Sequence, residues 1–191
     1  MSAGAIVGIV IGVILVLAII VFFSIYNSLV RLRNQVRNSW SQIDVQLKRR
    51  HDLIPNLIET AKGYMQFEKE VMENVTKARA AAVAVSGRGA AEQGKVEGEL
   101  SGFLSRFFAV VENYPDLKAN ASFMALHEEL TSTENKISFA RQFYNDSVMN
   151  MNNKVQMFPS NIVAGMSGFR QEAFFEIEVK AEREVPKVSF S

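Results

Sequence analysis

FMALHEELTSTENKISFARQFYNDSVMNMNNKVQMF, residues 123–158, carries one uninterrupted apolar stripe. Phe123, Leu126, Leu130, Thr133, Ile137, Ala140, Tyr144, Ser147, Met151, Val155 and Phe158 recur at alternating steps of three and four, with four repeated once before Val155. No glycine or proline breaks the run. Such a register puts every stripe residue on one side of a long helix and predicts a coiled-coil-like seam. Pro159 follows and predicts the stop.

Upstream, the same helical period continues. Leu29, Leu32, Val36, Trp40, Ile43 and Leu47 form a stripe on a first helix. His51-Asp52-Leu53-Ile54-Pro55 reads as a turn, because Asp52 can cap and the residue before proline disfavours helix. A second helix is expected over about Asn56 to Val85, with Leu57, Ala61, Tyr64, Phe67, Val71, Val75, Ala78 and Ala82 inward. Ser86-Gly87-Arg88-Gly89 reads as a loop. A third helix is expected from about Glu92 to Asn113, stopped at Tyr114-Pro115-Asp116. Short connections make successive helices antiparallel. The expected fold is all-α, an up-down-up-down four-helix bundle over residues 29–159. Residues 160–180 hold Ile162, Val163, Met166, Phe169, Phe174 and Phe175, an apolar density that suits closing the bundle or docking a partner. A lipid contact ranks third, since Glu172, Glu176 and Glu178 oppose an anionic leaflet. Residues 181–191 read as a disordered tail.

The N-terminus is different in kind. Residues 1–28 read as a membrane anchor: Ala5 to Phe23 are all apolar or glycine, and no Asp, Glu, Lys or Arg occurs before Arg31. As a helix that run is about 28 Å long, close to the hydrocarbon thickness of a bilayer. No basic n-region precedes it and no small-x-small site follows, which argues against a cleaved signal. Arg31, Arg33 and Arg37 lie just beyond it, so the positive-inside rule places the N-terminus outside and the bundle in the cytoplasm. A cytoplasmic membrane is the expected location. Gly4, Gly8 and Gly12 share one helix face and could support self-association. The 21 basic and 20 acidic residues give a net charge of +1, which argues against nucleic-acid binding. Zero cysteines exclude disulfides, thiol catalysis and Cys-ligated metal.

Several blocks resemble the LemA family of bacterial membrane proteins. They are Tyr26–Val30, Trp40–Leu57 (WSQIDVQLKRRHDLIPNL), Glu112–Ala119 (ENYPDLKA), Thr133–Ile137 (TENKI), Phe139–Arg141, Tyr144–Asp146 and Phe158–Asn161. The resemblance covers roughly residues 26–178. It implies one N-terminal membrane helix, an antiparallel helical bundle and no established enzymatic activity. Some members look like the magnetosome protein MamQ, which implies membrane organisation. His127 stands where the family pattern leads one to expect Gln, which argues against a shared histidine role.

Chemistry-bearing clusters are few. His127-Glu128-Glu129 lacks the second histidine four residues on that a zinc helix needs, because residue 131 is Thr. It reads as a polar helix face. Lys48, Arg49, Arg50 and His51 read as a C-terminal cap on the first helix, ahead of a partner contact. Asp44, Glu134, Asn135, Arg141 and Asn145 flank the apolar stripes and read as a polar network fixing helix register. The resulting expectation is a non-enzymatic, membrane-anchored scaffold or adaptor without a cofactor, presenting a helical rod to an unidentified protein partner. A homo-oligomer is one form it could take. Membrane remodelling is the first alternative, and a hydrolase with carboxylates near Asp44 and Glu134 is the second.

Overall fold

The structure is a computed structural model and describes residues 2–176. Among these, all regular structure is α-helical: α1 (Ala3–Lys62), α2 (Lys69–Ala84), α3 (Ala90–Val111), α4 (Pro115–Lys118), α5 (Ala121–Gln156) and α6 (Ser160–Met166). The expected disordered tail, 181–191, lies outside the described residues, as does Glu178.

The apolar N-terminal run and the first stripe belong to one 60-residue helix. The expected turn at His51–Pro55 does not occur. Pro55 has no N–H to give the carbonyl of His51, four residues earlier, and in an isolated helix that gap would favour a break. Here the Nε of Arg79, on α2, donates to that carbonyl at 2.6 Å. A long-range bond replaces the missing local one, and α1 runs on to Lys62. The expected second helix is therefore two pieces. Leu57 and Ala61 lie on α1, residues 63–68 form the turn, and α2 starts at Lys69. Phe67, expected inward, falls on that turn and is 93% exposed. Tyr64 is exposed as well, and its hydroxyl accepts a hydrogen bond from the Asn120 amide at 3.1 Å. The Asn120 side-chain oxygen also accepts the Phe123 N–H at 3.0 Å, satisfying an orphan donor at the start of α5.

The chain divides into two compact units. The first contains residues up to Trp40 together with Phe143–Glu172. Its buried side chains include Leu29 and Val36 from α1, Tyr144, Val148 and Met151 from α5, and Val163, Ala164 and Phe169 further on. Trp40 packs on Tyr144 with ring centroids 5.2 Å apart. The second contains Ser41–Gln142 and the described residues from Ala173. One apolar cluster there draws on α1 (Ile54, Leu57, Ile58, Ala61), α2 (Met72, Val75, Ala78, Ala82), α3 (Leu100, Leu104, Phe107, Val111), α4 (Leu117) and α5 (Phe123, Leu130). The α5 stripe stays buried or half-buried from Phe123 to Val155. Phe158, its expected last member, lies beyond the helix end and is 79% exposed.

Residues Ala5 to Phe23 of α1 are almost wholly exposed along their length, and none is buried within the protein. The helix is long and apolar enough to cross a membrane and is compatible with membrane anchoring.

Candidate functional site

The chemically richest place in the second unit is a buried cluster of ions. Arg50 continues the α1 stripe, three residues after Leu47 and four before Ile54, so helical geometry turns it inward. Its side chain is fully buried. On α3, Gln93, Glu97, Leu100, Leu104, Phe107 and Val111 occupy one inward face, which carries Glu97 into the same interior. One Arg50 Nη bonds the Glu97 carboxylate directly. The other donates to the Ser101 hydroxyl at 3.0 Å and to Glu134 Oε1 on α5 at 2.7 Å. His51 Nε2 stands 2.9 Å from the second Glu97 oxygen. Three helices thus meet on one guanidinium.

Electrostatics explain why the cluster holds. Burial pushes the Glu97 carboxyl up, as it would any buried acid. The His51 contact and the Arg50 charge and hydrogen bond pull it down and together prevail, so it lies below its ordinary value of 4.5. Arg50 would be costly to bury alone. Paired with Glu97 and Glu134, it has its charge compensated and most of its donors used. Gln93, one turn before Glu97, is also fully buried, and its amide finds no hydrogen-bond partner among the described residues.

The expected cap role of Lys48–His51 is overturned by this arrangement. The helix does not end there, so there are no terminal carbonyls to cap, and Arg50 and His51 turn into the core. Lys48 and Arg49 stay exposed, and Arg49 pairs with Glu129 on α5. Of the expected register residues, Glu134 is half-buried and held by Arg50. Asp44 and Asn135 are exposed, whereas Arg141 and Asn145 are half-buried. Glu97, Gln93 and Arg79 were missed by sequence reasoning. The signal for Glu97 was present, since it sits in the three-four register of the α3 apolar face. Arg50 escaped because a turn expected at Pro55 cut its stripe short.

His127 is more than part of a polar face. Its ring meets Phe108 edge-on at 4.4 Å and stacks near Phe123 at 6.3 Å. It borders a cleft of about 240 Å³ between α3 and α5, which Ser101 and Glu134 also line. Both of those side chains are engaged by Arg50 from the buried side. Among the described residues no group of three His, Cys, Asp or Glu could hold a metal ion.

The other expected surfaces fall as follows. Gly4, Gly8 and Gly12 lie on the exposed run of α1, and a Cβ at any of them would meet nothing within 4 Å. In the first unit Phe169 is buried, its ring 5.9 Å from that of Tyr26, with the Arg33 guanidinium 5.0 Å from its centroid. In the second unit Phe175 is fully buried and Phe174 is part-exposed. Next to Phe175, the backbone of Glu176 lies against Gly94 of α3 so closely that a Cβ there would come within 2.6 Å of its carbonyl oxygen.

The chain is similar to several known proteins. The chain is 27% identical over 161 residues to Protein LemA of Metamycoplasma hominis, covering 81% of this chain and 72% of that one. It is 24% identical over 175 residues to Magnetosome protein MamQ 2 of Paramagnetospirillum magneticum and 23% identical over 174 residues to Magnetosome protein MamQ of Magnetospirillum gryphiswaldense. Those alignments cover 79% and 78% of this chain, which spans 64% of the length of either MamQ protein. A family profile matches residues 39–190, from the residue before Trp40 through the ion cluster and on past the described residues, and the chain belongs to the LemA family.

Proposed function

We propose that this protein is a non-enzymatic scaffold or adaptor, anchored in a bacterial inner membrane by residues 5–23 with its helical part in the cytoplasm. One observation carries the reading: the ionisable groups that the helices gather are turned inward onto each other. Arg50 and Glu97 are fully buried and mutually paired, which suits fixing helix register better than meeting a substrate. Several large apolar groups, by contrast, face outward. Phe67 borders an open groove that Ile58 and Met72 also line, and Phe139 and Phe143 are exposed on α5. Exposed apolar surface of that kind suits a protein partner.

The helical part is read as an antiparallel four-helix bundle of α1, α2, α3 and α5. Short connections and the shared apolar cluster support it. Asp44, Asn135, Arg141 and Asn145 are assigned with Glu134 to polar contacts that keep register. Phe169 and Phe175 are assigned to closure, with Phe174 the more available for a partner. Orientation rests on Arg31, Arg33 and Arg37 following the apolar run. A membrane-organising role is the second reading. It is favoured by the likeness to proteins named for the magnetosome and by the open Gly4, Gly8, Gly12 face, which suits a homo-oligomer.

Native-membrane crosslinking followed by purification of the full chain tests the scaffold reading. Phe67→Ser is expected to leave the fold intact and reduce recovery of a specific crosslinked protein, whereas Glu134→Ala is expected to lower stability. A Glu134→Ala, Asp44→Ala protein of unchanged stability, with crosslinks indifferent to Phe67, would contradict it and return the hydrolase alternative.

A further inference from the structure

Beyond α5 the chain makes an excursion and returns. The Asn152 side chain donates to the Glu172 carbonyl at 2.9 Å and accepts the Glu172 N–H at 2.8 Å. Residues 153–171 are therefore a loop whose two ends meet. Its inner side is packed, with Val163, Ala164 and Phe169 buried. Through Phe169 it is fastened to Tyr26 and Arg33. Tyr26 comes three residues after Phe23, where the apolar run of α1 ends.

The outer side of the loop is unlike an ordinary water-facing surface. Ile162 and Met166, four residues apart on α6, are 54% and 75% exposed, and Phe158, two residues before that helix begins, is 79% exposed. The only charged residues from 153 to 171 are Lys154 and Arg170, both cationic. On α1 the first charges are Arg31, Arg33 and Arg37, with no acid before Asp44. Glu172, the first carboxylate after the loop, is exposed, while its backbone is clamped by Asn152. An exposed apolar stripe, in a loop whose own charges are cationic and which is tied to the helix where it leaves its apolar run, matches the interfacial layer of an anionic bilayer.

We propose that the outer face of α6 inserts into the headgroup–acyl boundary of the same bilayer that α1 crosses, with Lys154 and Arg170 directed at lipid phosphates. The proposal rests on the anchor reading of residues 5–23. It assigns the segment after α5 two jobs: Phe169 packs inward on α1, and Phe158, Ile162 and Met166 enter lipid. One membrane helix leaves a protein free to swivel about its exit point, and a second, shallow contact beside that point would hold it at a defined tilt.

The chain contains no cysteine, so single labels can be introduced without background. Full-length Leu15→Cys, Ile162→Cys and Lys77→Cys proteins, each carrying an environment-sensitive fluorophore, are reconstituted into vesicles of mixed phosphatidylcholine and phosphatidylglycerol. Quenchers are placed on lipids at shallow or deep positions. The label at Ile162 should fall to roughly half its emission or less with the shallow quencher, as expected for a helix lying in the interface. The label at Leu15 should respond to the deep quencher, and that at Lys77 to neither. Phe158→Ser with Met166→Ser should weaken the Ile162 response without altering the melting of the protein. Quenching at Leu15 but not at Ile162 would overturn the proposal and leave the anchor standing. Quenching at Lys77 equal to that at Ile162 would overturn it too. No quenching at Leu15 would overturn the anchor reading and the proposal with it.

Discussion

His51 serves two neighbours at once. Its carbonyl, left without a helical donor by Pro55, takes a bond from Arg79 on α2, while its ring faces Glu97 on α3. Removing the Arg79 side chain leaves that carbonyl without its donor, which costs about 1–3 kcal/mol. Pro55→Ala restores the N–H that an ordinary helix would supply, so it should relieve most of the cost of Arg79→Ala. A double-mutant cycle read by denaturant unfolding checks this coupling, and additive effects would contradict it. Glu97 carries the pH dependence. Its value in the folded chain is depressed, so its contribution is complete above the ordinary carboxylate value of 4.5 and is lost as pH falls through the lower folded value. Acid titration of thermal stability should therefore show a falling limb below 4.5 that Glu97→Gln flattens.

At the scale of elements, the long seam of α5 and the stripe of α1 were legible because their three-four spacing is a local property of the chain. The helix boundary at Pro55 was not. Local chemistry argues for a break there, and the deciding bond comes from a residue far along the sequence. The same reason hid the ion cluster, in which Arg50 and His51 read as a cap, Glu134 as a seam-flanking carboxylate, and Glu97 drew no reading at all. Gly94 is another case, for its lack of a side chain matters only once the segment around Glu176 is laid against α3. Gly94→Ala would drive a Cβ into backbone that cannot rotate aside. It should cost about 1–3 kcal/mol through displaced packing. Limited proteolysis should then cut near Phe174 and Phe175 faster than in the parent chain.

Across the whole molecule, apolar groups follow three regimes: the unpacked run of α1, the cores of the two units, and scattered outward aromatics such as Phe67. Sequence composition separates the first from the others, since Ala5 to Phe23 contain no charge. It does not separate the second from the third, because Phe67 and Phe169 differ only in what the fold brings to them. Deleting residues 160–191 removes the buried Phe169 and Phe175, each worth roughly 1.5–3 kcal/mol. At about 2–4 °C per kcal/mol for a chain of this size, the melting temperature should drop by several degrees or more. An unchanged melting temperature would leave those aromatics without a role in stability. The central claim is that the Arg50–Glu97 pair is a structural lock, and equilibrium unfolding of full-length protein in nonionic detergent tests it most directly. Glu97→Gln leaves a buried guanidinium short of its counter-charge and should cost about 3–5 kcal/mol, whereas Glu134→Gln, at the half-exposed edge, should cost much less. A Glu97→Gln protein within about 0.5 kcal/mol of the parent, the range of an ordinary surface substitution, would contradict it.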